Sequence, residues 1–206
     1  MDFKGVFNDL GVVFVTADRG EGKTSFAYYL LDQIKDKTNC YIFKHPKPGL
    51  VTKLGFKILY SIDELEQLND ICLWIDEPQI LFPKYEKRGS IILNKLLSLV
   101  RQKDILLILS TSDTRYITAS EEFYINTYII KQIDYKMVKR GSKIRSIIRE
   151  IAIITPEGYA DTIQKNEFIF YNRKLKELIG KHNFKMPDYF NEELSKPFKS
   201  IPKLTS

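Results

Sequence analysis

Cysteine is scarce in this chain: its 206 residues hold two, Cys40 and Cys72. Both fall in apolar, strand-like runs and neither belongs to a C-x-x-C pair, so neither a disulfide framework nor a cysteine-held zinc is indicated. A reducing compartment fits that usage. No apolar run approaches the ~20 residues that span a bilayer. The opening M-D-F-K-G-V-F-N-D is not a secretory signal. The expectation is a cytoplasmic protein without a transmembrane segment. There is no internal repeat and no low-complexity block. Charge bias is also modest: 32 Lys and Arg stand against 26 Asp and Glu, a formal +6. That permits a polyanionic partner without requiring one. The length supports one sizeable core and not two ordinary domains, so residues 1–206 are expected to form a single domain.

What is present begins at Val12-Val13-Phe14-Val15, an apolar run that leads into T-A-D-R-G-E-G-K-T-S, residues 16–25. Phe26, Ala27, Leu30, Leu31 and Ile34 follow at helical spacing. A strand, a glycine-bearing loop ending in Gly-Lys-Thr and then a helix form the context of a phosphate-binding loop. Its backbone N–H groups converge on phosphate oxygens, which needs small or permissive residues such as Gly20 and Gly22. Lys23 supplies a mobile cation for the β- and γ-phosphates. The Thr24 hydroxyl is a hard oxygen suited to Mg²⁺. The helix N-terminus adds partial positive charge. The nucleotide-binding set is therefore Ala17, Asp18, Arg19, Gly20, Glu21, Gly22, Lys23, Thr24 and Ser25, with Ala17 where the motif usually has its first glycine.

A second site lies in I-C-L-W-I-D-E, residues 71–77. An apolar strand ending in two acids reads as a buried parallel strand whose C-terminal tip presents carboxylates, where open α/β sheets bind ligands. Beside a phosphate loop this is a Walker B segment. Asp76 is expected to hold the Mg²⁺ shell and Glu77 to orient and polarise the attacking water. A glutamate directly after that aspartate is the pattern of NTPases with an additional strand between the phosphate-loop strand and the Walker B strand. Ile105 to Leu109 is a further apolar strand, ending in Ser110-Thr111-Ser112. Such NTPases place a γ-phosphate sensor at that tip. A routine Ser/Thr-rich turn is the alternative.

The remainder reads as follows. Residues 1–10 are a lead-in, Cys40 to Lys44 a strand, and His45 a loop histidine among prolines. Phe56 to Tyr60 suggests a short strand, and Ser61-Ile62-Asp63-Glu64 a capping box. Ser90 to Arg101 is a helix apolar on most faces. Residues 128–154 alternate as a hairpin around Lys139-Arg140-Gly141-Ser142-Lys143. This is the densest basic stretch, and Lys136, Lys139, Arg140, Lys143 and Arg145 are candidates for contact with a phosphate backbone; a solvated hairpin is the alternative. A core over about 11–155 precedes a short helix at 172–179 stopped by Gly180, then an extended, proline-punctuated tail to 206.

Acidic strand, buried helix ending in Arg, apolar strand, then Ser-Thr: this order resembles the FtsK–HerA superfamily of DNA-pumping ATPases. It is most similar to the small genome-packaging ATPases of double-jelly-roll viruses over about residues 11–130. The family usually has Gln after the Ser-Thr pair, and this chain has Ser112. The resemblance implies a three-layer α/β RecA-like (ASCE) fold with a mainly parallel sheet, here extended by a C-terminal β-hairpin. It also implies ATP and Mg²⁺, double-stranded DNA, a homo-oligomeric ring and a capsid or portal-vertex partner in a host cytoplasm. An arginine acting on a neighbouring subunit's site follows too, with Arg101, Arg88 and Arg115 as candidates. Two other resemblances stand beside it. I-D-E-P-Q-I-L-F is similar to a segment of thymidine kinases, which would make the chain a phosphotransferase. The toxin-like morphogenesis ATPases of filamentous phages share the loop and the acidic strand.

Overall fold

The computed structural model describes residues 11–83, 87–113, 116, 119–132, 145–147, 149, 163–172 and 177–195. The first strand, β1 (Val12–Thr16), is β-branched and aromatic, as a doubly covered strand should be. Its side chains alternate: Val12 and Phe14 enter one core cluster, Val13 and Val15 the other. Helix α1 (Lys23–Ile34) packs Phe26, Ala27, Leu30, Leu31 and Ile34 on the second face. After β2 (Asn39–Phe43) come α2 (Pro48–Lys53), β3 (Lys57–Leu59), a short 3₁₀ turn at Asp63–Gln67 and β4 (Ile71–Asp76). Then follow α3 (Pro78–Leu81), α4 (Lys87–Gln102), β5 (Leu106–Thr111), α5 (Ala119–Glu122) and β6 (Thr127–Ile130). Strands β7 (Glu167–Asn172) and β8 (Glu177–Asn183) and helix α6 (Glu192–Ser195) complete the order.

Helix α4 covers the opposite face from α1, with Leu93, Leu96, Leu97 and Val100 buried at helical spacing. Its apolar surface is one-sided: Ile91 is exposed, and Lys95 pairs with Asp63 and Glu66 at 2.8 Å. Helix, sheet and helix thus make three layers. The 3₁₀ turn is not closed by the expected capping box: Ile62 stands at its N-cap, while Ser61 Oγ accepts from the Asp63 N–H and Glu64 from the Tyr60 N–H.

The sheet has eight strands in the order β3-β2-β4-β5-β1-β6-β7-β8. Pairing is parallel from β3 to β6 and antiparallel for β6–β7 and β7–β8. Strand β5 lies between β1 and β4, the additional-strand arrangement. This is a RecA-like α/β fold.

Two further expectations are corrected. A C-terminal hairpin does extend the sheet, but β7 and β8 form it; residues 145–147 and 149, assigned to a strand arm, are helical. The helix expected at 172–179 is corrected where residues are described: Asn172 ends β7, and Glu177–Asn183 is strand β8, which includes Gly180. At 177–183 helical propensity yields to pairing with the neighbouring strand β7. Strand β6 takes E-F-I-F-Y-N, in which Phe168, Ile169 and Phe170 are buried together with Asn172, and β8 then pairs onto that strand.

Candidate functional site

The register of three parallel strands assembles the site. Thr16 lies opposite Thr111, and Asp76 opposite Ser110, so the tips of β1, β5 and β4 end side by side. The loop between β1 and α1 is tied at its start: Lys131 N–H donates to Thr16 O and Asp18 N–H to Gln132 O, both at 2.9 Å. Ala17 is fully buried, so its methyl fits where the motif usually has glycine. Gly20 and Gly22 have φ of +84° and +79°, left-handed values that favour glycine. At Gly22 space is short as well, since a Cβ would lie 3.2 Å from Lys131 Cε and 3.3 Å from Lys165 O.

Lys23 Nζ sits 3.1 Å from Glu77 Oε1, with the lysine side chain 7% exposed. Thr24 Oγ1 donates to Asp76 Oδ2 at 3.4 Å. On its other oxygen Asp76 accepts from Ser110 Oγ at 2.6 Å, and Ser110 in turn accepts from Trp74 Nε1 at 2.8 Å. Glu77 adopts φ 45°, ψ 61°, a left-handed turn uncommon for glutamate, and its N–H donates to Ser110 O at 2.7 Å. That turn returns its carboxylate to the site. There it accepts from the Ser112 N–H at 3.1 Å, from Ser112 Oγ and from the Gln79 amide. Gln79 Oε1 accepts from Thr111 Oγ1 at 2.7 Å. The three residues Ser110, Thr111 and Ser112 therefore hold Asp76, Gln79 and Glu77 respectively.

The two acids have opposite electrostatics. Burial, more than any neighbour, raises the Asp76 carboxyl to about 6; the Glu77 charge adds to this, and Ser110 and Lys23 oppose it. Burial pushes Glu77 the same way, but the Lys23 ammonium and the Gln79 and Ser112 hydrogen bonds outweigh it and hold this carboxyl below its usual range. One buried carboxyl close to protonation and one held ionised is an arrangement suited to a cation and a base.

These groups open into a cavity of about 690 Å³, lined also by Arg19, Gly20, Gly22, Ser25, Lys165 and Met186. That volume is in the range of small-molecule sites. Thr24 Oγ1 and Asp76 Oδ2 are adjoining hard oxygens, and the buried Asp76 charge lacks a full counter-ion. That donor set fits Mg²⁺, which commonly takes one or two protein ligands and fills the rest with water and phosphate. Among the described residues no group of three or more His, Cys, Asp or Glu could hold a metal.

Other predicted residues lie elsewhere. Arg101 is exposed in the last turn of α4, whose end adjoins the starts of β4 and β5 through Asp70 N–H to Lys103 O, and it does not line the cavity. Arg145 is in the helical residues at 145–147. Arg115, Lys136, Lys139, Arg140 and Lys143 lie outside the described residues, as does the Arg88 side chain. His45 lies in the loop after β2, as expected, and is buried there. Its Nδ1 accepts from the Lys47 N–H, its Nε2 meets Tyr28 Oη at 3.4 Å, and burial lowers its pKa. Sequence analysis missed Gln79, Trp74 and Lys131 as members of the site. Gln79 had a signal, two residues beyond Glu77; Trp74 and Lys131 had none, because only strand pairing brings them in.

No family model and no curated protein matches the chain. Solved structures do. The genome-packaging NTPase B204 from Sulfolobus turreted icosahedral virus 2, in complex with ATP-γS, aligns with TM-score 0.57 and 16% identity, over 84% of this chain and 96% of that one. The pCW3 conjugation coupling protein TcpA aligns with TM-score 0.62 and 17% identity, over 88% and 62%. EssC (ATPases 2 and 3) from Geobacillus thermodenitrificans aligns with TM-score 0.59 and 13% identity, over 89% and 41%. The chain shares their fold, that of P-loop ATPases.

Proposed function

We propose that this chain is an ATP-hydrolysing motor subunit that moves double-stranded DNA, in the manner of a viral genome-packaging ATPase. The observation that carries the ATPase part is the meeting of Lys23 and Thr24 with Asp76 and Glu77 at adjoining strand tips. The loop N–H groups and Lys23 would take the phosphates. Mg²⁺ held by Thr24 and Asp76 would neutralise charge on the β- and γ-phosphates. Glu77, freed from Lys23 when phosphate takes that ammonium, would accept the proton of the attacking water. Gln79, Ser112 and Thr111 fix where its carboxylate points.

The DNA part is supported by the shared fold with B204, a genome-packaging NTPase, and by the basic stretch at 136–145. An oligomeric ring, a capsid or portal partner, a cytoplasmic setting and Arg101 in trans belong to the same proposal. No helix among the described residues is long and apolar enough to cross a membrane.

The test is ATP turnover with and without blunt double-stranded DNA, alongside native mass. The proposal expects DNA to raise turnover and the mass to be that of several chains. Turnover by a monomer that ignores DNA would contradict the motor. Thymidine-dependent ADP formation would point to a phosphotransferase instead.

A further inference from the structure

Lys131 is a lysine with no exposed surface, placed just past the tip of β6. Its Nζ donates to Lys165 O at 2.6 Å and to Glu167 O at 2.9 Å. It also lies 4.4 Å from the centroid of the Phe184 ring and 5.8 Å from that of Phe26. Such a site is expensive for a cation. An apolar chain of similar length would fill it at lower cost. Burial accordingly lowers this ammonium to about 7, with Glu21 and Glu167 opposing the shift. The ammonium is nonetheless kept at the one place where β6, the 165–167 segment and the phosphate loop meet. The Lys131 N–H holds Thr16, the next carbonyl holds Asp18, and the Lys131 side chain reaches beneath Gly22.

We propose that Lys131 is a positioning residue of the phosphate loop: it braces Gly22 against the 165–167 segment and sets a buried positive charge behind the loop, favouring nucleotides with more phosphate charge. The inference rests on the nucleotide site described above and adds a residue to it. A charge there acts through the low-dielectric interior, so its pull grows with each added phosphate. Bracing alone would weaken ADP and a non-hydrolysable ATP analogue alike, since both place a β-phosphate in the loop.

The test is calorimetric affinity of wild type, Lys131→Met and Lys131→Arg for ADP and a non-hydrolysable ATP analogue. Lys131→Met is expected to bind the ATP analogue about tenfold more weakly and ADP less than about threefold more weakly. Lys131→Arg should restore most of the affinity for the ATP analogue. Should Lys131→Met fail to fold by circular dichroism, Lys131→Gln, which keeps one donor, carries the same expectation. Unchanged affinity for the ATP analogue in a folded variant, or equal losses for the ATP analogue and ADP, overturns the inference while leaving the site intact. Wild type that binds neither nucleotide overturns the site and the inference together.

Discussion

Asp76 sets the pH behaviour of the site. Its carboxyl is raised by burial to about 6, above the ordinary 3.8. Between those values the folded protein holds a proton that the unfolded chain has lost, so this group's contribution to stability is full at low pH and declines as pH rises through about 6. Asp76→Asn removes that decline. Thermal melts without nucleotide should therefore show the variant gaining on wild type as pH rises from about 4 to 7, by on the order of 2 kcal/mol. A constant difference across that range would contradict the assignment. The same titration predicts that Mg²⁺-dependent nucleotide binding by wild type weakens below about pH 6, where the carboxyl is protonated. Gln79 acts one contact further out, holding Glu77 and receiving Thr111. Gln79→Ala should lower kcat about tenfold with little change in KM, because it loosens the base without touching the phosphates; steady-state kinetics decide this.

At the scale of elements, what could be read from the chain were the parts whose signal is local. Phe14 to Lys23 shows strand, loop and helix start in sequence, and Ile71 to Glu77 shows a buried strand and its acidic tip. Helix α4 was legible as a helix, although its buried face proved narrower than Ser-Ile-Ile-Leu-Asn-Lys-Leu-Leu suggests, since Ile91 faces solvent. Strand β8 was not legible: Lys-Leu-Lys-Glu-Leu-Ile has helical spacing, and only pairing with Phe168 to Asn172 makes it a strand. Lys131 was hidden for the same reason, because its partners Lys165 and Glu167 are joined to it by sheet topology and not by spacing. The buried face of α4 gives a stability prediction. Leu96 is fully enclosed, so Leu96→Ala should cost about 2–5 kcal/mol in urea unfolding, with the site chemistry unaltered.

For the whole molecule, placing β5 between β1 and β4 is what brings Ser110, Thr111 and Ser112 between the loop and the acids. That order is the one expected from Asp76 and Glu77 beside the phosphate loop, and it makes three residues of a strand tip the supports of Asp76, Gln79 and Glu77. The proposed DNA contact is also a property of the whole chain, since a net +6 favours a polyanion without base readout. DNA stimulation of turnover should accordingly fall steeply between about 50 and 200 mM salt, and stimulation that persists unchanged would argue against a backbone contact. The account stands or falls most directly on hydrolysis by wild type and Glu77→Gln, measured beside their affinities for Mg²⁺-ATP. It predicts that the variant still binds ATP and turns it over at least about a hundredfold more slowly. Equal turnover by the two proteins would contradict it.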